Sequence, residues 1–392
     1  MADRFCIFSA QYLPHMGGVE RYTYYLAKEL ITKGHEVTVV TSLSEGQKEH
    51  EVSEQIEIYR MSSINLMSGR LPVLKSDKNT SQIEKQLKSK GFDFVLINTR
   101  FYLMSLYGAR FAYKNRIAAG VLEHGTSHLT FNNRIFDVAE KIYEHGITAV
   151  LKHYCKDYYG VSKACCEWSA HFGIKSKGVL YNAIDLNEVC ELMANPVKSY
   201  RNDFHVKKDA VVITFTGRML IEKGIYELME AVSGLNSEII LFMAGDGPEF
   251  ENMKKKAQAL KKENIRIIPL GRIDFQHVMA LLKETDIYCL PSVSEGFPTS
   301  VLEAVAAKCF VITTYNGGAR ELIKDGVSGM ILKNNEADRI RDAIKKALND
   351  PVWMENAKET AYEELKHNFT WESTAARLIE LSGQKGNEKV GR

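Results

Sequence analysis

The run Phe5-Cys6-Ile7-Phe8-Ser9-Ala10 is followed by Pro14-His15-Met16-Gly17-Gly18-Val19-Glu20-Arg21 and then by Glu36-Val37-Thr38-Val39-Val40-Thr41. Short apolar runs bounded by turn residues read as buried strands. Between them Val19, Tyr22, Leu26 and Leu30 share one face of a helix from about Gly18 to Lys33, which Gly34 stops. The stretch is therefore a β-α-β unit.

Working outward, further strands fall at Ile56–Met61, Asp93–Asn98, Ala119–His124, Asp157–Val161 and Gly178–Asn182, with helical patterns between most of them. A parallel sheet covered on both faces is the economical reading. The pattern restarts after the polar stretch Ser199–Asp209. Strands at Ala210–Thr216, Glu238–Ala244, Ile265–Pro269, Asp286–Leu290 and Cys309–Thr313 alternate with helices near Glu222–Gly234, Pro248–Lys262, Phe275–Glu284 and Thr299–Lys308. A chain of 392 residues exceeds the size at which one core keeps growing. The expected fold class is α/β, with two doubly wound domains facing each other, at residues 1–190 and 191–370. Residues 371–392 are read as a helix to about Leu381 and a polar tail, expected to cross back to the first domain. Ligands of such sheets bind beyond the carboxyl ends of the strands, so functional residues are sought just after strands.

Composition narrows the function. Fifty-one basic against 49 acidic side chains leave a net charge of +2, which argues against a nucleic acid partner. The seven cysteines form no C-x-x-C pair and mostly lie in apolar runs, as buried thiols in a reducing compartment do. His153, Cys155, Cys165, Cys166 and His171 fit no zinc spacing. Met1 to Pro14 holds too short an apolar run for a secretory signal, and no segment approaches about 18 uninterrupted apolar residues. A cytoplasmic protein is expected, with peripheral contact at the inner membrane face left open.

Four stretches carry the chemistry. Gly17 and Gly18 open the first helix, where backbone amides and the helix dipole favour an anion; a tight turn needing only glycine explains them equally well. Gly217-Arg218-Met219-Leu220-Ile221-Glu222-Lys223-Gly224 places two cations at the equivalent strand end of the second half. A planar guanidinium and a compact ammonium suit a diphosphate whose charge rises as it leaves. In Glu295-Gly296-Phe297-Pro298-Thr299-Ser300-Val301-Leu302-Glu303, two carboxylates are placed to accept hydrogen bonds from sugar hydroxyls, although Ser300-x-x-Glu303 also reads as a capping box. His124 ends a strand of the first half, and a lone histidine there is more often structural.

Together with Ala244-Gly245-Asp246-Gly247-Pro248, Leu270-Gly271-Arg272 and Thr313…Gly317-Gly318…Glu321-Leu322-Ile323, these stretches resemble glycosyltransferase family 4, of GT-B fold, in order from Phe5 to about Leu332. The resemblance implies a hexosyltransferase using a nucleotide-diphosphate sugar, UDP ahead of GDP, with no cofactor and no metal. Gly17 and Gly18 would approach the donor phosphates, Arg218 and Lys223 would neutralise the diphosphate, and Glu303 would hold the ribose. Glu295 would bind the transferred sugar, Phe297 and Pro298 would offer it loop backbone, and Arg272 would lie near the base. His124 resembles the family's active-site histidine, which makes His124, Glu295, Arg218 and Lys223 the catalytic set. Family members retain anomeric configuration, the leaving phosphate helping to deprotonate the acceptor. A glycan or lipid-linked acceptor, in cell-envelope or exopolysaccharide biosynthesis, is the corresponding expectation.

Rival readings fare worse. Gly245-Asp246-Gly247 has Phe250 where a dinucleotide fingerprint needs its third glycine. No Asp-x-Asp pair is present to hold a metal. A non-catalytic sugar-nucleotide-binding subunit would be free to lose the charged residues that this chain keeps. Arg100–Lys114 reads as a packing helix in preference to a membrane surface.

Overall fold

The computed structural model describes residues 2–15, 17–66, 71–128, 134–315 and 317–390. Met16 and the last two residues of the expected tail lie outside the described residues. Two compact units are formed, one from Met1–Asn182 with Trp371–Arg392, the other from Ala183–Thr370.

The chain runs β1 (Arg4–Phe8), α1 (Gly18–Thr32), β2 (Glu36–Ser42), β3 (His50–Ser53), β4 (Ile56–Met61), β5 (Ser63–Leu66), β6 (Leu71–Leu74), α2 (Lys78–Lys90), β7 (Phe94–Asn98), α3 (Leu103–Lys114), β8 (Ala118–Glu123), α4 (Arg134–Tyr154), β9 (Tyr158–Gly160), α5 (Lys163–Ser169) and β10 (Gly178–Val179). It continues α6 (Leu186–Ala194), α7 (Tyr200–Asp203), β11 (Val211–Thr216), α8 (Ile225–Ser233), β12 (Ile239–Ala244), α9 (Phe250–Ala259), β13 (Ile265–Gly271), α10 (Phe275–Lys283), β14 (Ile287–Leu290), α11 (Thr299–Ala306), β15 (Phe310–Thr314), α12 (Ala319–Leu322), β16 (Met330–Leu332), α13 (Ala337–Asn349), α14 (Pro351–Asn368) and α15 (Trp371–Val390).

The first unit's sheet has the order β10-β9-β8-β7-β1-β2-β4-β3, and the second's has β13-β12-β11-β14-β15-β16. All pairings in these two sheets are parallel except β3 with β4, whose antiparallel register runs from His50 opposite Tyr59 to Ser53 opposite Ile56. Central strands such as Ile239–Ala244 and Phe94–Asn98 are buried at every residue, as strands with helices on both faces must be. The order reverses once in each sheet, between β1 and β7 and between β11 and β14. These reversals are where an open α/β sheet leaves a crevice beyond its strand ends.

Several expectations change on contact with the structure. The helix expected over Glu222–Gly234 is split: Ile221–Lys223 forms a 3-10 turn, Gly224 takes a left-handed φ of 71°, and α8 starts afterwards. The polar stretch 199–209 is anchored to the core, because Tyr200 is buried with its ring 5.8 Å from Phe242 and stacked on Phe204. Cys190 is exposed, whereas Cys6, Cys155, Cys165, Cys289 and Cys309 are buried. In Arg100–Lys114 the helix packs through Met104, Ala109, Phe111 and Ala112, and Arg100 itself is buried. No described helix is long and apolar enough to cross a membrane.

The terminal helix α15 runs to Val390, beyond Leu381, and packs on α1 of the first unit. Trp371 stacks on Tyr25 at 5.7 Å and meets Tyr22 edge-on at 5.2 Å, and Thr374 Oγ1 donates to the Tyr181 carbonyl at 3.0 Å. Trp371→Ala is expected to lower stability by about 3 kcal/mol in urea denaturation, because a buried aromatic anchor is lost. Glu372→Ala, which breaks only an exposed ion pair to Lys33, is expected to change it by less than about 0.5 kcal/mol.

Candidate functional site

In the second unit, the loops after β11 and β14 leave neighbouring strand ends and are stitched together by backbone. Val293 N donates to the Glu222 carbonyl at 2.9 Å, and Ser292 Oγ donates to the same oxygen at 3.3 Å. A Cβ at Gly224 would lie 2.3 Å from the Pro291 carbonyl oxygen, so only glycine permits this approach. On the other side, Gly318 N donates to the Gly296 carbonyl at 2.8 Å, and a Cβ at Gly317, whose φ is 65°, would lie 2.2 Å from the Glu295 carbonyl oxygen.

This frame brings Lys223 and Glu295 together: Nζ donates to Oε1 at 2.5 Å, with both side chains largely covered. Glu303 is buried on α11. Tyr288, on β14, reports both acids. Burial pushes its hydroxyl pKa up, hydrogen bonds with Ser300 and Thr216 oppose the rise, and the charges of Glu303 and Glu295 add to it. The expected capping box is absent: α11 begins at Thr299 after Pro298, with no side-chain cap, and Ser300 engages Tyr288. Ser300 is too far into the first turn to cap it.

The other sequence candidates take different positions. Arg218 is exposed in a loop whose Met219 N donates to the Asp246 carbonyl at 3.0 Å. Arg272 is exposed just after β13, where the Gly271 carbonyl accepts from Gly245 N at 2.7 Å. The loops of Arg218 and Arg272 are thus joined through the Gly245–Asp246 turn. Pro298 and Phe297 are buried, the Phe297 ring 5.3 Å from Phe369, so Phe297 serves the core while its backbone stays in the loop.

In the first unit, Gly17 is the N-cap of α1. The Glu20 carboxylate covers it, within 2.5 Å of where a Cβ would stand, whereas a Cβ at Gly18 would meet open space. The buried Glu20 thus places a side-chain anion at the helix start, a feature that sequence reading missed although Glu20 stood in the quoted run. His124 follows β8. Its Nε2 donates to Asn98 Oδ1 at 3.0 Å while Asn98 Nδ2 donates to Thr23 Oγ1 at 2.7 Å, and Tyr22 meets the ring edge-on at 5.1 Å. Burial lowers its pKa to about 3, so the ring is neutral and the lone pair is on Nδ1. Asn98 was missed as well; the available signal was an amide closing the buried run Phe94–Asn98. Beneath the turn, Glu123 Oε1 accepts from His124 N at 3.1 Å and from Gly125 N at 3.2 Å, and Oε2 accepts from Arg100 Nη1 at 2.5 Å.

Two family models match the chain: Glycosyl transferases group 1 over residues 197–364 and Glycosyltransferase Family 4 over residues 16–188. The chain belongs to glycosyltransferase family 4. Among curated relatives, an uncharacterized glycosyltransferase of Methanocaldococcus jannaschii is 24% identical over 94% of this chain and 95% of its own length. The phosphatidylinositol N-acetylglucosaminyltransferase GPI3 subunit of Saccharomyces cerevisiae is 22% identical over 94% of this chain and 80% of that protein. Among solved structures, Anabaena HepE in complex with UDP superposes with a TM-score of 0.74 at 17% identity, covering 98% of this chain and 100% of that one. The fold of this glycosyltransferase is GT-B, with two Rossmann-like units.

Two outcomes follow from the geometry. Gly224→Ala puts a side chain at a left-handed φ against a carbonyl, and we expect a loss of about 2 kcal/mol or more in denaturant titrations. The unfolded His124 ring binds a proton as pH falls through about 6.5, whereas the folded ring waits until about 3, so its contribution to stability is intact above 6.5 and lost below. Its NMR resonances, assigned with His124→Gln, should stay at neutral-ring positions from pH 8 to pH 5; an inflection near 6.5 would contradict the burial argument.

Proposed function

We propose that this glycosyltransferase transfers a hexose from a nucleotide-diphosphate sugar, with UDP preferred over GDP, to a glycan or lipid-linked acceptor, with retention of configuration and without a metal ion. The Lys223–Glu295 pair beside Glu303, at the reversal of the second sheet, carries this reading. The second unit is assigned the donor and the first the acceptor. A role in cell-envelope or exopolysaccharide biosynthesis, on the cytoplasmic side of the membrane, goes with it.

Each group has a physical task. Glu295 holds the long Lys223 side chain in place, so little freedom is lost when its ammonium meets a diphosphate. Arg218 adds a planar, bidentate fork from solvent, and both cations count for most when negative charge grows on the departing phosphate. Glu303 accepts from the ribose hydroxyls and Glu295 from those of the hexose, with the backbone of Phe297 and Pro298 alongside. Arg272 flanks the base. In the transfer, the bond from the anomeric carbon to the phosphate oxygen breaks, the acceptor oxygen bonds to that carbon on the same face, and the acceptor's proton passes to the leaving phosphate. The neutral His124 offers a hydroxyl the lone pair of Nδ1, and the space where a Cβ of Gly18 would stand is left to a phosphate.

The UDP complex of HepE and the yeast relative, whose name couples phosphatidylinositol with an N-acetylglucosaminyl transfer, support the donor and lipid-linked readings by likeness.

Calorimetric titration with UDP, GDP and ADP in EDTA tests the donor site. UDP is expected to bind, the other two at least tenfold more weakly. Arg218→Ala and Glu303→Ala should each weaken UDP binding tenfold or more, about 1.4 kcal/mol. Binding of none of the three, or binding indifferent to both substitutions, would sink the assignment. With a sugar donor identified, NMR of the first-formed product should show the donor's anomeric configuration, undiminished in EDTA.

A further inference from the structure

His128, His145 and His171 converge in the first unit, with one ring nitrogen of each within 4.8 Å of the others. They come from three places, the turn after His124, the middle of α4 and the 3-10 turn Ala170–Phe172, so no local spacing announces them. We propose that these three histidines bind a divalent transition-metal ion of the zinc class, which ties the segment following β8 to α4 and to the turn after α5.

Three observations carry the assignment. His128 Nε2 and His171 Nε2 face each other at 3.3 Å. Two nitrogens on a tetrahedral ion, at metal–nitrogen distances of roughly 2.0–2.1 Å, stand about 3.3 Å apart, so this pair already has ligand spacing. His145 is exposed, its ring centroid 5.0 Å from that of His171.

Second, the ring whose orientation matters most is fixed from behind. His128 Nδ1 donates to Glu144 Oε2 at 2.9 Å, and Glu144 is fully buried. That bond places the proton on Nδ1 and leaves the Nε2 lone pair pointing at His171, the carboxylate–histidine arrangement that orients metal ligands. Arg100 donates to the same carboxylate, keeping it an acceptor. His171 is held separately by stacking on Trp168, centroids 4.9 Å apart and planes within 7°.

Third, two carboxylates, those of Glu123 and Glu144, lie buried behind the rings against the single guanidinium of Arg100. A dication at their edge meets a favourable field. Three imidazoles and no hard oxygen ligand in that set select zinc, cobalt, nickel or copper over magnesium or calcium. The fourth position is left to water.

The test uses the full chain in a Cys190→Ser background, which removes the exposed thiol, stripped with EDTA and dialysed free of it. Titration with ZnCl2 should show one ion per chain and raise the melting temperature, and CoCl2 should give the visible spectrum of a tetrahedral site. His145→Ala and His171→Ala are each read against their own metal-free melting temperature; each should weaken Zn2+ binding tenfold or more and abolish the cobalt spectrum. Absence of stoichiometric binding, or binding indifferent to both substitutions, would overturn the proposal and leave His171 as a hydrogen-bond donor to His128. Because EDTA is present in the nucleotide titrations, the two tests fail independently.

Discussion

The loop geometry of the second unit depends on how closely backbones approach where its strand order reverses. The loops leaving β11 and β14 start on adjacent strands, and side-chain packing between them would hold them apart. Gly224 lets one loop settle on the Pro291 carbonyl, and Gly317 lets the next settle on that of Glu295. Once three loops are locked main chain to main chain, Lys223 and Glu295 meet without either needing a partner from its own segment. The pair is a consequence of the frame. A bridge of this kind adds little to stability by itself, and its importance lies in where it holds the ammonium.

In the first unit the order of causes is different. No glycine contact fixes His124; side chains do, through Asn98, Thr23 and Tyr22 above and through Glu123 below. Burial dominates the electrostatics there. It raises the Glu123 pKa even though Arg100 and two backbone amides pull the other way. A buried pair in which desolvation wins over attraction is weak support for stability and good support for orientation. Glu123 and Arg100 fix the turn, and the turn presents a histidine whose own burial keeps it uncharged.

These two modes explain what could be read in advance. Short apolar runs placed most strands of the two large sheets to within a few residues, because a parallel sheet covered on both faces demands continuous apolar runs such as Ile239–Ala244. The left-handed conformation of Gly224 was invisible to periodicity, and the helix over Glu222–Gly234 was drawn straight through it. The Ser300-x-x-Glu303 pattern suggested a cap, whereas the helix begins one residue earlier and Ser300 turns to Tyr288, a partner set by the fold. Arg100 and Tyr200 lie in stretches that read as polar or amphipathic, yet both are buried, each by partners more than 20 residues away.

The same contrast explains why the residues assigned to the donor spoke more clearly than those assigned to the acceptor. A main-chain frame admits few solutions: glycine at fixed offsets, a lysine one residue before Gly224, an acid one residue before Gly296. Such a frame leaves a spaced motif in the sequence. A side-chain network admits many solutions, because any donor or acceptor of suitable reach can satisfy Asn98 or Glu144, and it leaves single polar residues at the ends of apolar runs. Asn98, Glu123 and His124 all occupy such ends. The residues assigned to the sugar nucleotide rest on the rigid kind of support. The variable kind surrounds Arg100, Glu123, Glu144 and His128, which are joined side chain to side chain across β8 and α4.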